Sequence, residues 1–424
     1  MVLTVAVEQM LKGEPSTRHV LVEVREGDTL APEQRYGVPG LFVLTRSDEG
    51  DSAPWRLERQ RASLLWLDGP QASWTLNLAE ASLRGNAGAR RLASTSAKMR
   101  PLKVGVVGAG AVGTYFGVRL AELGHDVRFL VRKRHDAPER LGVTSWQGDF
   151  VLEHPTIVRD ASELGDDLDW VLVGLKSTAL EQENVLRDLL EPCVSGTTRV
   201  QLLMNGLGAE EKAAEIVDAR RVHGGLVYGG LSRRGFDVNH AGVPCAIHGG
   251  SFVDDEAELA AAERLWTPVD REKPKGAVAY VPQPCLLLAQ WSKLAWNVPF
   301  NGCTVLAAGA DVGALWRDAA GREAAVAVMR EVCRAANADL AARGSEASLD
   351  EEAVVARLSA VTDDMAEVNY VPSTTKDFRE GRRMEVEAIF GEPLRRARAH
   401  GVATPRLEAM AALLRVANDR VAPS

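Results

Sequence analysis

The sequence predicts an α/β fold: a Rossmann-type dinucleotide-binding domain followed by an all-helical C-terminal domain, with an unassigned N-terminal extension in front. Three observations carry this. A β-branched run, Val104, Val106 and Val107, ends in Gly108-Ala109-Gly110-Ala111-Val112-Gly113 and passes at once into a helical pattern through Leu120 and Leu123. Two further near-continuous apolar runs, 169–175 (DWVLVGL) and 199–204 (RVQLLM), read as strands buried on both faces. From Leu286 onward nearly every stretch is helical in pattern, with apolar residues three and four apart in 319–343 and 350–368.

The strand–turn–helix of 103–132 needs its glycines for separate reasons. Gly108 allows the sharp bend, Gly110 lets the backbone approach a pyrophosphate, and Gly113 lets the helix sit close to the strand. The helix N-terminus then offers free N–H groups and a positive dipole end to phosphate. A second strand, 126–131, supplies the context that a bare GxGxxG lacks. It ends in Arg132-Lys133-Arg134, where an NAD-binding chain usually carries an acid for the ribose 2′-hydroxyl. A carboxylate there repels a 2′-phosphate, whereas Arg132 can grip one bidentately. The cofactor expected is therefore NADPH/NADP+, not NADH, held by the loop residues 108–113 with Arg132.

The two later strands end in Lys176 and in Asn205-Gly206, at the carboxyl edge where open α/β sheets bind ligands. Helical stretches such as 179–190 lie between them, giving a βαβαβ order. Beyond Arg221 the texture changes to shorter strand-like pieces with frequent glycine, such as 245–247 and 277–281, read as the far edge of the sheet. Residues 282–284 (PQP) punctuate the chain, so the expected domains are 101–283 and 284–424, with the cleft between them as the substrate site.

In the helical part, 291–301 reads WSKLAWNVPFN. Lys293, Asn297 and Asn301 recur every four residues and would line one face of a helix, which Pro299 should kink. In 369–390, Pro372 suits a first helical position, Ser373 or Thr374 with Asp377 suits a cap, and Glu385 opens an apolar-periodic helix after Gly381. Arg382 and Arg383 read as a solvated pair.

Residues 1–98 are the least informative. Candidate strands at 19–24, 40–44 and 72–78 and three tryptophans (Trp55, Trp66, Trp74) suggest a small β-rich appendage. Against that, 85–98 reads as a linker followed by Met99, so upstream sequence translated from an early start is the other reading.

Composition excludes several classes. At 46% hydrophobic, 25% charged and net charge −8, the 424 residues are ordinary globular material and no general electrostatic binder of nucleic acid. Five scattered cysteines with no CxxC indicate neither a disulfide framework nor a metal site. No apolar run reaches the ~18 residues of a membrane span, and the start lacks a signal-peptide pattern. A cytoplasmic protein is expected, its oligomeric state open, a homodimer included.

Residues 101–420 resemble the ketopantoate reductases (2-dehydropantoate 2-reductases). The resemblance rests on VGAGAVG with Arg132, LVGLKS around Lys176, LLMNGLG around Asn205, WSKLAWNVPFNG, the pair Ser373 and Glu385, and RRARAHGVATPRLEAM. It implies NADPH-dependent reduction of 2-dehydropantoate to (R)-pantoate in pantothenate and coenzyme A biosynthesis. It also implies Lys293 as proton donor and Glu385 as the acid near substrate and cofactor. Asn297, Asn301, Ser373 and Asn205 become substrate contacts, and Lys176 and Asn205 neighbours of the nicotinamide. The chemistry is consistent: hydride arriving at a ketone leaves charge on oxygen, which an ammonium can stabilise and protonate. A lysine near its ordinary pKa of ~10.4 is charged at neutral pH. Whether Glu385 pairs with Lys293 or accepts from substrate stays open. The alternatives are a paralogue acting on another 2-keto acid or carbonyl, and a non-catalytic NADPH-binding protein.

Overall fold

Residues 1–96 and 97–424 form separate units, and the computed structural model describes residues 10–12, 17–24, 40–47, 56–58, 100–133, 136–270, 274 and 276–421. In the first unit, β1 (Met10–Lys12), β2 (Thr17–Val24), β3 (Gly40–Ser47) and β4 (Arg56–Glu58) pair antiparallel in chain order. The expected strands 19–24 and 40–44 fall inside β2 and β3. The strand expected at 72–78, Trp55, Trp66, Trp74, the stretch 85–98 and Met99 lie outside the described residues, as does Arg134.

The second unit opens with β5 (Lys103–Val107), α1 (Ala111–Glu122) and β6 (Asp126–Leu130). A hairpin of β7 (Arg140–Ser145) and β8 (Phe150–Glu153) follows, then β9 (Thr156–Val158), β10 (Trp170–Val173), α2 (Val185–Leu190), β11 (Arg199–Leu202) and α3 (Ala209–Ala214). Two long strands, β12 (Val222–Arg234) and β13 (Asp237–Ser251), then α4 (Glu256–Leu265) and β14 (Ala279–Pro282), complete the sheet-bearing part. Strands β9-β6-β5-β10-β11-β12 lie side by side and parallel. The strand order therefore reverses between β5 and β10, which is where such sheets open a ligand crevice.

Burial explains the apolar runs. In β10, Trp170 and Leu172 enter one core cluster while Val171 and Val173 enter the cluster on the opposite face. With period-two side chains and both faces covered, every position must be apolar.

The structure departs from the sequence reading in three places. The stretch 179–190 is not one helix: a 3₁₀ turn, Ser177–Glu181, precedes α2, and Asn184 between them adopts φ 63°, a left-handed conformation that asparagine tolerates. Of the short pieces beyond Arg221, 245–247 lies inside the long strand β13, which pairs antiparallel with β12 over most of its length, and 277–281 overlaps β14. Nor is β13 the far edge, because β7 and β14 both pair with it. Glycine hid these strands: a Cβ on Gly225 would sit 2.4 Å from Leu203, so close packing selects glycine where a strand pattern calls for β-branched residues.

The remainder is helical: α5 (Leu286–Leu306), α6 (Val312–Arg317), α7 (Ala319–Ala342), α8 (Glu351–Glu367), α9 (Ser373–Arg379), α10 (Glu392–Ala399) and α11 (Pro405–Asp419), with a π-helical turn, Glu387–Gly391, leading into α10. Asp311, Asp318 and Asp350 cap α6, α7 and α8 by accepting from Ala314, Gly321 and Ala353 N–H groups at 2.8, 2.7 and 2.7 Å. The central helix α5 runs through Pro299 and buries Trp291, Leu294, Val298 and Phe300 in the core of this part. That burial fixes the rotation of α5, and so the direction in which Lys293 leaves it. Among the described residues no helix is long and apolar enough to cross a membrane.

Candidate active site

The glycine loop sits at the switch point. Gly108 takes φ 92°, and a Cβ there would lie 2.9 Å from the backbone of Gly174 and Leu175. Gly113 is equally constrained, since its Cβ would fall 2.1 Å from the carbonyl oxygen of Gly108. Gly110 differs. Its φ of −83° suits any residue, and a Cβ would meet nothing closer than 3.9 Å. The protein itself gives no reason for glycine at 110. A ligand lying against the loop does, and the N-terminus of α1 behind it carries no side-chain cap. The residues present thus fit a dinucleotide pyrophosphate. Arg132 is exposed at the end of β6.

The next two strand ends bring polar groups together. Glu385, only 7% exposed, stands just before the helix containing the π turn and reaches back to the sheet. Its Oε1 accepts from the Ser177 N–H at 2.9 Å and the Ser177 hydroxyl at 3.0 Å, and its Oε2 accepts from Asn205 Nδ2 at 3.1 Å. The Asn205 Oδ1 in turn accepts from Lys293 Nζ at 3.1 Å, and Lys293 donates a second bond to the Val227 carbonyl at 2.9 Å. The Asn205 amide can take only this orientation, because the flipped one would set NH₂ against the ammonium and oxygen against the carboxylate.

Lys293 therefore does not sit at the ordinary pKa expected from sequence. Burial lowers it from 10.5 to about 8, while the charge of Glu385 holds it up. The ammonium also lies 5.2 Å from the centroid of the Tyr228 ring, which packs against His248 at 4.6 Å. Burial and the nearby Lys293 hold His248 neutral, with its pKa lowered to about 4.

Two family models match this chain: Ketopantoate reductase PanE/ApbA over residues 104–253 and Ketopantoate reductase PanE/ApbA C terminal over residues 286–418. The crystal structure of 2-dehydropantoate 2-reductase from Geobacter metallireducens GS-15 is 34% identical, with a TM-score of 0.66, covering 74% of this chain and 100% of that one. The chain belongs to the ketopantoate reductase family. The 2-dehydropantoate 2-reductase of Nostoc sp. is 29% identical over 315 residues, 74% of this chain and 94% of its own length. The ternary structure of D-mandelate dehydrogenase with NADH and anilino(oxo)acetate shares the fold, at 22% identity and a TM-score of 0.62 over 76% of this chain and 99% of that one. The protein is thus an oxidoreductase of the ketopantoate reductase family.

Within this family member, the expected site residues fall into two groups. Lys293, Asn205 and Glu385 form one hydrogen-bonded chain. The others stand apart from it. Asn301, 2% exposed, spends its Oδ1 on the Thr374 N–H at 3.2 Å and so caps α9 from another helix. Pro372 occupies the N-cap position of α9, one residue earlier than expected, and no side chain within the segment caps it. Ser373 is exposed at the first helical position, and Asn297, half-buried one turn after Lys293, has no hydrogen-bond partner among the described residues.

Lys176 donates from Nζ to both carboxylate oxygens of Asp377 at 2.7 Å. Asp377 is buried and also accepts from Arg382 Nε at 2.9 Å, while Arg383 reaches Glu181 at 2.6 Å. The capping role read for Asp377 is replaced by its bond to Lys176, a link between the sheet-bearing and helical parts; Arg382 and Arg383 are exposed as read, and Arg383 adds a second such link through Glu181. Ser177, Val227, Tyr228 and Asp377 were not identified from sequence as members of the site. Ser177 had one signal, its place directly after Lys176 at a strand end.

Proposed function

We propose that this protein reduces a 2-keto acid with NADPH, and that 2-dehydropantoate, giving (R)-pantoate, is the substrate. The observation that carries the reading is the chain Ser177–Glu385–Asn205–Lys293, which holds one aimed ammonium at the carboxyl ends of the strands. When bound, the nicotinamide supplies the hydride. What the chain's own residues do follows from their bonds. Lys293 has two of its three N–H groups tied to Asn205 and Val227, leaving the third to donate to the substrate's ketone oxygen as charge develops there. A pKa of about 8 keeps the amine mostly charged at neutral pH yet readier to release its proton than an ordinary lysine. Glu385 orients Asn205 and sustains the charge on Lys293; it acts through its neighbours instead of donating itself. Asn297 and Ser373, with uncommitted polar groups, hold the substrate carboxylate and hydroxyl. Arg132 selects the 2′-phosphate.

The ring pair Tyr228–His248 beside Lys293 supports a second substrate reading, a 2-keto acid with an aromatic or bulky apolar substituent, because a ring face adjoins the amine. One experiment separates these. NADPH oxidation is followed with 2-dehydropantoate, phenylpyruvate and benzoylformate, using wild type and Lys293→Ala. Turnover best with 2-dehydropantoate, and cut by about 10²–10⁴ in the variant, is the expected result. Preference for an aryl substrate selects the second reading, and equal activity in the variant removes Lys293 as donor.

A further inference from the structure

The outer half of the β12–β13 hairpin is aimed by an irregularity. Pairing runs from His223↔Ser251 to Tyr228↔Ala246 and resumes at Gly230↔Ala241, so the register jumps across Gly229, whose φ is 147°. Such a bulge re-aims a strand. Beyond it, the two-residue loop Gly235-Phe236 closes the hairpin, with φ 61° at Gly235. The consequence is a contact across 124 residues of sequence: Arg233 donates from Nη1 to the carbonyl of Ala109, inside the glycine loop, at 2.5 Å. Its guanidinium also packs 5.7 Å from the Phe236 ring centroid.

This cation differs from two other basic residues at the strand ends of the sheet. Among the described residues no carboxylate pairs with Arg233, whereas Lys176 is committed to Asp377 and Lys133 lies 3.5 Å from Asp160. Partial desolvation lowers its pKa, and among the described residues no acid offsets that loss of water. One N–H is spent on the loop; a guanidinium has five, in a fixed fork that matches phosphate oxygens. The loop beneath has open space at Gly110 and the uncapped end of α1.

We propose that Arg233 is a cofactor-binding residue that closes over the glycine loop and pairs with the pyrophosphate of the dinucleotide. The proposal rests on the dinucleotide reading given above and adds a specific anion partner to it. A pyrophosphate carries two negative charges that backbone N–H groups solvate but do not neutralise, and Arg233 supplies the missing charge. Because NADH and NADPH share the pyrophosphate, the residue serves both equally, in contrast to Arg132.

The test is titration of the full-length protein with NADPH and with NADH, followed by nicotinamide fluorescence, for wild type, Arg233→Gln, Arg233→Lys and Arg132→Ala. Arg233→Gln should weaken both cofactors by the same factor, about ten- to a hundredfold, as loss of a charge-assisted bond does. Arg233→Lys should recover part of it, with melting temperature unchanged in each variant. Arg132→Ala should weaken NADPH alone. If Arg233→Gln weakens only NADPH, the residue serves the 2′-phosphate and the proposal is wrong; if it weakens neither, the contact with Ala109 is merely structural. If the wild type binds neither dinucleotide, the underlying reading falls instead, and the two failures are told apart by the wild-type titration alone.

Discussion

Gly110 and Gly113 lie three residues apart in one loop, yet their constraints have different origins. At Gly113 a methyl group would press on the Gly108 carbonyl, a backbone atom that cannot swing away. Gly113→Ala should therefore lower stability by about 1–3 kcal/mol, the usual cost of overpacking, measured by urea unfolding. At Gly110 a methyl group meets open space and an unstrained φ. Gly110→Ala should leave the unfolding midpoint unchanged and weaken dinucleotide binding, read by the same fluorescence titration. Equal destabilisation by the two changes would contradict the separation. Lys293 shows a related conflict between stability and chemistry. Its pKa falls from 10.5 to about 8 on folding, so the unfolded chain holds the proton more tightly. Below pH 8 the buried charge opposes folding, and that opposition is relieved as pH rises from about 8 to 10.5.

At the scale of elements, α5 organises the helical part by what each of its faces does. One face fills the core with Trp291, Leu294, Val298 and Phe300, another aims Lys293 at the strand ends, and a third spends Asn301 on α9. Because α9 is short and begins after Pro372, with no cap of its own, it depends on Asn301. Asn301→Ala should cost about 1 kcal/mol of stability, as a lost cap does, and Asn301→Asp should restore most of it, measured by thermal melting. If Asn301→Ala instead changes KM without changing stability, its amide is bound for substrate. The same comparison shows what the sequence makes legible. The runs that became β5, β10 and β11 were readable because burial on both faces leaves one pattern, and α7 and α8 because one apolar stripe repeats. The β12–β13 pair was not, because glycines selected by close contacts, such as Gly225 against Leu203, erase the alternation. Asp377 was misread for another reason: its partner Lys176 is 201 residues away, and a carboxylate near a helix start has a local explanation ready.

Across the whole second unit, the sheet-bearing and helical parts are joined at the site by Lys176–Asp377, Ser177–Glu385 and Glu181–Arg383. The strand ends alone hold no complete set: Asn205 and Val227 come from the sheet side, Lys293 and Glu385 from the helices. Lys293, Asn205 and Glu385 are each singled out by the sequence, but their direct linkage is not, since nothing local records that three residues 88 and 180 positions apart share hydrogen bonds. That linkage has a kinetic consequence. The Glu385 carboxylate holds the Lys293 pKa up against burial, so removing its charge must lower that pKa further and shift the active pH range downward.

The most direct test of this account is the pH profile of kcat/KM for keto-acid reduction in wild type and Glu385→Gln. A proton donor must be charged to act, so the wild-type rate should be level at neutral pH and fall as pH rises through about 8. In Glu385→Gln the falling limb should move to lower pH, with a smaller plateau. A wild-type limb at the pH of an ordinary lysine, or a Glu385→Gln limb in the same place as the wild type, would contradict a buried Lys293 sustained by Glu385 as the proton donor.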